Sequence, residues 1–280
     1  MKTRVPMVAL ALSVLSLFGT AAAFGAEGTA SGKLTVGAKT TALVHAYALA
    51  RKDPADKTKE RVFIVLSDVA IPAETLWDDF PGLKLGAAGQ LHAVEIEMSA
   101  DKTVNTAGVV HEAFADMQGF HGAPLPAFVA KSYDATHVEG KFTSGKPDDP
   151  QSTKIEFTAT FSAPIQHRPA PTAAGAAVAQ TAPGKAVVAF LKAAGAGDKA
   201  ALRKLMTAEY GKPLDGPNGK AILAQWKANP IDPAKVPFGT AYVTGNSAEV
   251  VMVDKSTGMM SAKFNLVLVG GEWKIDGAMM

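Results

Sequence analysis

Residues 269–276 read VGGEWKID, and this stretch decides how the end of the chain folds. Its two consecutive glycines both tolerate positive φ, which a two-residue turn between antiparallel strands requires. After the turn, Trp273 and Ile275 alternate with charged residues, and this period of two is typical of a half-buried strand. The stretch therefore predicts a hairpin turn and a last strand in which the tryptophan packs and the charges face water.

The residues before this turn follow the same period of two. Strands are predicted from TAYVTGN, SAEVVMVDKS and MMSAKFNLVLV, residues 240–246, 247–256 and 259–269. Further upstream, apolar residues recur at intervals of three and four, as on one face of an amphipathic helix. The predicted helices cover residues 183–198, 198–206 and 218–229. Asp198 and Asn218 are their expected caps.

Three helices followed by a four-stranded antiparallel meander resemble the nuclear-transport-factor-2-like superfamily, the cystatin-like cone. The resemblance covers about residues 183–280 and includes the GEWKID finish at residues 271–276. In the helices it is carried by Phe190, Ala194, Gly197, Asp198 and Leu202. It implies helices packed on a curved antiparallel sheet over residues 185–280. It implies no single function, because members include isomerases, dehydratases, binding modules and assembly domains.

Enzymes of the resembled family place their chemistry in a pocket between sheet and helices, with a buried His–Asp pair or an aspartate and a tyrosine. The last histidine of this chain is His167, which precedes the cone-like part. Glu249 alternates with Val250 and Met252, so we expect it on the solvent face. The sequence thus gives no catalytic residue and favours a non-enzymatic protein. A cone-fold isomerase, dehydratase or hydrolase is the alternative.

A ligand pocket inside the cone is compatible with these residues. Large apolar side chains are expected on the inner face of the sheet or on the facing helix, where they would line a pocket for an apolar small molecule. The competing interpretation is that they fill the core. The candidate residues are Trp226, Tyr242, Phe264 and Leu266.

The first part of the chain has the pattern of strands. KIEFTATFSA (154–163) and HVEGKFTSG (137–145) both alternate, and together they predict a hairpin. RVFIVLSD (61–68) is apolar on both faces, which indicates a central strand. LHAVEIEMSAD (91–101) places two glutamates opposite its apolar residues. Seven or eight strands with polar turns predict an antiparallel β-sandwich or a partly open barrel over residues 32–165.

LVHAYALARK followed by RVFIVLSDVAIPAETL (43–52 and 61–76) is similar to a segment of exported bacterial proteins with no assigned function. The resemblance covers roughly residues 34–165 and implies no activity.

This first part also holds most of the six histidines. His111 with the adjacent Glu112 and with His121 forms a candidate metal site, because imidazole and carboxylate suit zinc or copper. No two histidines have the spacing that would force their rings together on one strand or one helix. His92 lies in an apolar strand pattern, which favours a core or rim histidine. No cofactor is predicted.

The first residues have the features of a secretory signal peptide. Lys2 and Arg4 precede an apolar run, and Ala21 to Ala23 supply small residues for cleavage near Ala23. The sequence therefore predicts a signal peptide over residues 1–23 and a periplasmic or secreted protein. The apolar run is too short to span a bilayer comfortably, so we expect no stable membrane insertion after cleavage.

Composition sets the remaining expectations. The chain has no cysteine and nearly equal numbers of basic and acidic residues, 28 and 26. It therefore has no disulfide, and its charge gives no reason to expect nucleic acid as a partner. Residues 24–31 are predicted as a disordered lead-in, and residues 166–184 as a linker rich in alanine and proline. The predicted protein has two domains, acts through an unknown protein partner or an apolar ligand, and could form a homodimer through its C-terminal sheet.

Overall fold

The structure is a computed structural model that describes residues 27–279, except residues 54–55, 57, 74, 78–81, 118, 146–152, 233–236 and 258. It contains 24% helix and 48% strand, arranged in one nine-stranded and one five-stranded sheet. The predicted mixture of helices with a large antiparallel sheet and a second sheet is confirmed. Among the described residues, every helix is too short or too polar to cross a bilayer. The predicted signal peptide lies outside the described residues.

The first sheet contains the strands of the first part of the chain in the order β6-β5-β4-β3-β2-β1-β9-β8-β7. Neighbouring strands are antiparallel, and β8 pairs with β9 as the predicted hairpin. Strand β1 lies between β2 and β9 but is shorter than both. Where β1 has not yet begun, β2 and β9 pair directly and in parallel, over residues 48–50 and 165–167. The strands are β1 (Gly28–Val36), β2 (Lys39–Lys52), β3 (Glu60–Ser67), β4 (Ala93–Ser99), β5 (Val104–Val110), β6 (Phe120–Gly122), β7 (Ala127–Tyr133), β8 (His137–Thr143) and β9 (Ile155–His167).

Apolar side chains cover both faces of the middle of this sheet. On one face, Ile64 and Ile96 join the main core together with Phe142 and Phe157. On the other face, a smaller core forms around Val65, covered by Ile71, Leu76 and Trp77 and by helix α1 (Leu83–Ala87). Strand β3 is therefore buried on both sides, as its apolar pattern predicted.

The second sheet is a meander with helices on one face. Its order is β10-β11-β12-β13-β14, and Phe190 of the first long helix packs edge-to-face on Phe264 of β13 with ring centroids 5.9 Å apart. The strands are β10 (Ala173–Ala174), β11 (Phe238–Thr244), β12 (Ser247–Val253), β13 (Met260–Val269) and β14 (Glu272–Met279). The helices are α2 (Ala182–Ala196), α3 (Lys199–Leu205), α4 (Ala208–Gly211) and α5 (Gly219–Ala228). Short 3-10 helices cover residues 112–117, 175–180 and 212–215.

The turn in VGGEWKID has the predicted geometry. Gly270 and Gly271 have φ angles of 60° and 84°, a left-handed region that glycine adopts without steric cost. Val269 pairs with Glu272 across this turn. Ile275 is fully buried and Trp273 packs against the same core, so the stretch is a fold determinant.

The predicted disordered lead-in differs from the structure over residues 28–31, which belong to β1. The reason is a close approach of two backbones. A Cβ on Gly28 would lie 2.3 Å from the carbonyl of Ser162, and one on Gly32 would lie 2.3 Å from Ala159. Glycine lets β1 lie against β9, and this strand has too few apolar residues to be recognised by periodicity.

The segment predicted as a linker, residues 166–184, also carries regular structure. Strand β9 continues to His167, and β10 and a 3-10 helix follow. Val178 is completely buried in the core of the second sheet. The Thr181 hydroxyl accepts a hydrogen bond from the Gly184 backbone N–H and caps α2. This segment of low apolar content thus contains a buried valine, the pairing of β10 with β11 and a helix cap.

Candidate functional site

Two histidines from different parts of the sequence meet at one end of the first sheet. His92 immediately precedes β4, and His111 immediately follows β5. The last cross-strand pair between these strands is Ala93 with Val110, so the antiparallel register places the two histidines next to each other. Their ring centroids are 4.7 Å apart, and both residues are buried.

His92 is oriented by an aspartate at the end of the neighbouring strand. Its Nδ1 lies 2.5 Å from Asp68 Oδ2, and its backbone N–H donates to Asp68 Oδ1 at 2.8 Å. On the other side of the ring, Nε2 lies 2.6 Å from Glu112 Oε2 and 3.1 Å from Lys39 Nζ. A carboxylate on one imidazole nitrogen fixes the ring so that the other nitrogen can serve as a metal ligand.

His111 is held at the start of a 3-10 helix. Its backbone N–H donates to the Gly119 carbonyl at 2.8 Å, and its Nδ1 accepts from the Ala113 N–H at 3.0 Å. Its Nε2 is buried and has no hydrogen-bond partner among the described residues. Burial disfavours the charged ring and lowers the pKa of His111. A neutral imidazole is the form that binds a metal ion.

Glu112 completes the group with a carboxylate. Burial by itself would raise the pKa of Glu112, but the Lys39 ammonium, a backbone N–H and His92 outweigh it and lower the pKa to about 2. Glu112 Oε1 accepts from Lys39 Nζ at 2.5 Å, and Oε2 lies 3.4 Å from His111 Nδ1. The side chain is therefore an anion directed toward both imidazoles.

His92, His111 and Glu112 each offer one ligand atom, and these atoms lie within 4.8 Å of one another. Ligands at roughly 2.0–2.2 Å from one zinc ion are separated by up to about 4 Å, so small side-chain movements would bring all three to an ion. Two histidines and one glutamate leave a fourth position open, as in zinc sites that keep a water molecule. The arrangement can hold a divalent cation.

The third residue of the sequence-based metal prediction, His121, lies apart from this group. Its Nδ1 donates to the Gly122 carbonyl at 2.6 Å, and its ring stacks on Phe114 with centroids 4.6 Å apart. His92 takes its place beside His111 and Glu112. The sequence contained this signal only in combination with the pairing of β4 and β5, because residues that flank two adjacent antiparallel strands meet at the same end of the hairpin.

Of the four residues predicted to line a pocket, Tyr242 and Leu266 line one cleft, whereas Trp226 and Phe264 do not line it. Phe264 and Leu266 are buried in the core under the helices, and Trp226 packs edge-to-face on Phe190. Tyr242 lies on the opposite face of the sheet, where the guanidinium of Arg168 stacks 3.5 Å from its ring centroid. The difference follows from β-strand geometry, since alternate residues of a strand point to opposite faces.

Glu249 differs from the expectation of a solvent-facing residue. It is only 9% exposed, and its Oε1 forms an ion pair with Arg168 Nη2 at 2.9 Å. Glu249 does alternate with apolar neighbours, but the face of the sheet on which it lies is covered.

Comparison with protein-family models, with curated proteins and with solved structures finds no match for this chain. A functional proposal therefore depends on the chemistry of the residues themselves.

Proposed function

We propose that this chain is an exported metal-binding protein that holds a zinc ion between His92, His111 and Glu112. One observation carries the proposal: three candidate ligand atoms from separate parts of the chain converge within 4.8 Å. Two imidazoles and a carboxylate suit zinc, and copper(II) is the competing ion because imidazole binds it as well. Export is supported by the leader-like sequence of residues 1–23.

The ammonium of Lys39 supports a cation at this position. It contacts Glu112 Oε1 at 2.5 Å and His92 Nε2 at 3.1 Å, two atoms that would coordinate the ion. The Lys39 side chain is 50% exposed, so it can move into solvent. In this proposal the lysine neutralises the site without metal, and the ion displaces it.

The two histidines contribute unequally in this proposal. Coordination through His111 Nδ1 would replace the hydrogen bond from the Ala113 N–H. Coordination through Nε2 would move the ring proton to Nδ1 and break the same hydrogen bond. His111 loses a bond in either case, whereas His92 keeps its contact with Asp68. We therefore expect His92 to be the stronger ligand.

We further propose that the second part of the chain is a cone-type domain that acts through protein contacts. The meander β11 to β14 and the helices packed on one of its faces support this assignment. A homodimer through this sheet belongs to the same proposal, and light scattering on the purified chain at several concentrations tests it. A strict monomer would count against the homodimer.

Metal binding is tested by equilibrium dialysis of the purified chain against Zn²⁺ and, separately, Cu²⁺. We expect one bound zinc ion per chain and at least a tenfold loss of affinity in His92→Ala and in Glu112→Ala. His121→Ala is the matched control, because it removes an imidazole outside the group and should leave binding unchanged. Zinc uptake no higher than that of a protein-free blank would refute the proposal, and so would an equal loss in the control.

A further inference from the structure

A cleft with a volume of ≈ 590 Å³ lies between the two sheets. One wall comes from the first sheet and the segment that covers it, and includes Trp77, Leu83 and Phe120. The opposite wall is the face of the second sheet that carries no helices, and includes Tyr242 and Val267. The volume is in the range of pockets that enclose small molecules. No metal-site residue of the proposed function lines this cleft.

The charged residues of the cleft already have partners. Glu249 is paired with Arg168 at 2.9 Å, and Lys263 Nζ lies 4.0 Å from its other carboxylate oxygen. The Arg168 guanidinium is also fixed by stacking on Tyr242. Among the residues that line the cleft, the two cations Arg168 and Lys263 are balanced by two carboxylates, Glu249 and Asp276. A charged ligand would therefore have to compete with existing pairs. This balance of charges favours a neutral ligand.

One polar atom in the cleft is different. Asn265 is the cross-strand neighbour of Glu249, and Asn265 lines the cleft. Its Oδ1 is buried and has no hydrogen-bond partner in the described part of the chain. A buried acceptor without a donor is costly and uncommon. A ligand that supplies an N–H or O–H at this position would remove that cost.

We propose that this cleft binds a neutral amphipathic small molecule with an aromatic or aliphatic body and one hydrogen-bond donor. The body packs against Trp77, Phe120 and Tyr242, and the donor is directed at Asn265 Oδ1. The ligand class follows from a mainly apolar wall, balanced charges and one unmatched acceptor among the described residues that line the cleft. This site is independent of the zinc site, and either can fail without affecting the other.

The test compares two probes on the unmodified chain. N-phenyl-1-naphthylamine has an apolar aromatic body with one N–H, and 1-phenylnaphthalene has a similar body without a donor. Fluorescence titration gives the affinity of the first, and displacement of the first gives that of the second. We expect the amine to bind about threefold to tenfold more tightly, as for one net hydrogen bond. Equal affinities, or no fluorescence increase with the amine, would overturn the proposal.

Three variants test whether the probes bind in this cleft. Asn265→Leu should abolish the preference for the amine while both probes still bind, and Trp77→Ala should weaken both probes by about tenfold or more. Trp226→Phe is the control, because Trp226 of α5 packs on Phe190 of α2, does not line the cleft and should have no effect. Circular dichroism checks that each variant is folded. If Trp77→Ala left both affinities unchanged, the probes would bind elsewhere and the assignment would be wrong.

Discussion

The carboxylate of Asp68 contacts His92 at two points, the backbone N–H through Oδ1 at 2.8 Å and the ring Nδ1 through Oδ2 at 2.5 Å. Asp68 directly follows β3, and His92 directly precedes β4. The two strands pair in register up to Ser67 and Ala93. The sheet therefore fixes the aspartate and the histidine together, and their contacts orient the imidazole.

Asp68→Asn should weaken zinc binding about 10–100-fold, the usual effect of losing a carboxylate that orients a ligating histidine. The amide can still accept the backbone N–H, so we expect the fold to be retained. Competition with a chromophoric chelator measures the affinity. Glu156→Gln is the control, since Glu156 is an exposed acid on β9 that forms an ion pair with Lys154. Unchanged affinity in Asp68→Asn would mean that His92 is not a ligand.

Lys39→Met should tighten zinc binding by up to about fivefold. The substitution keeps the length of the side chain and removes the ammonium that contacts both Glu112 and His92, and an exposed pair of this type contributes about 0.2–1 kcal/mol. Lys33→Met, at another position of the first sheet, provides the matched control. The same chelator competition measures both variants. Weaker binding in Lys39→Met would show that the lysine assists the site and does not compete with the ion.

Glu95 lies on the covered face of β4, and both of its carboxylate oxygens are buried without a hydrogen-bond partner in the described structure. Burial raises the pKa of Glu95 from 4.5 to about 8, although the charge of Arg51 opposes this. The folded state therefore keeps the proton between pH 4.5 and pH 8, whereas the unfolded chain releases it. Its contribution to stability is fully present below pH 4.5 and is lost as the pH rises toward 8.

Glu95→Gln should consequently stabilise the protein in a pH-dependent manner. We expect little difference from the unmodified chain at pH 4 and a gain of about 3 kcal/mol at pH 7, because one pKa unit corresponds to about 1.4 kcal/mol. Urea unfolding at several pH values measures the difference. Glu97→Gln, on the same strand but paired with Arg61 at 2.5 Å, should show no such gain. A pH-independent difference for Glu95→Gln would contradict the assignment of a protonated carboxyl group.

The sequence predicted the local features of the fold well, because those features have local causes. The strands and the turn around Gly270 follow from a period of two and from two adjacent glycines. Asp198 caps α3 by accepting from the Ala201 N–H at 3.0 Å, as its position indicated. Asn218 occupies the cap position of α5 but makes no side-chain bond there. Each successful prediction required only residues close together in the chain.

The features that the sequence did not predict depend on distant contacts. Glu95 alternates with apolar residues, as a solvent-facing glutamate does, but α1 and the side chains of Ile71, Leu76 and Trp77 cover that face of the sheet. His92 becomes a candidate ligand only when the register of β4 and β5 is known. The ordering of β1 depends on the approach of Gly28 and Gly32 to β9. Periodicity within a segment contains no information on what will cover it.

Trp273→Ala should destabilise the protein by about 3 kcal/mol, since truncation of a large, partly buried aromatic that packs on the core removes apolar burial and leaves a cavity. Trp273 packs on the core of the second sheet beside the fully buried Ile275. Lys274→Ala is the matched control on the same strand. Its ammonium donates to the Lys204 carbonyl at 2.7 Å near the end of α3, so its removal should cost less than about 1 kcal/mol. Denaturant unfolding followed by circular dichroism measures both variants. A smaller effect for Trp273→Ala than for Lys274→Ala would mean that the charged side of VGGEWKID, and not its tryptophan, anchors the last strand.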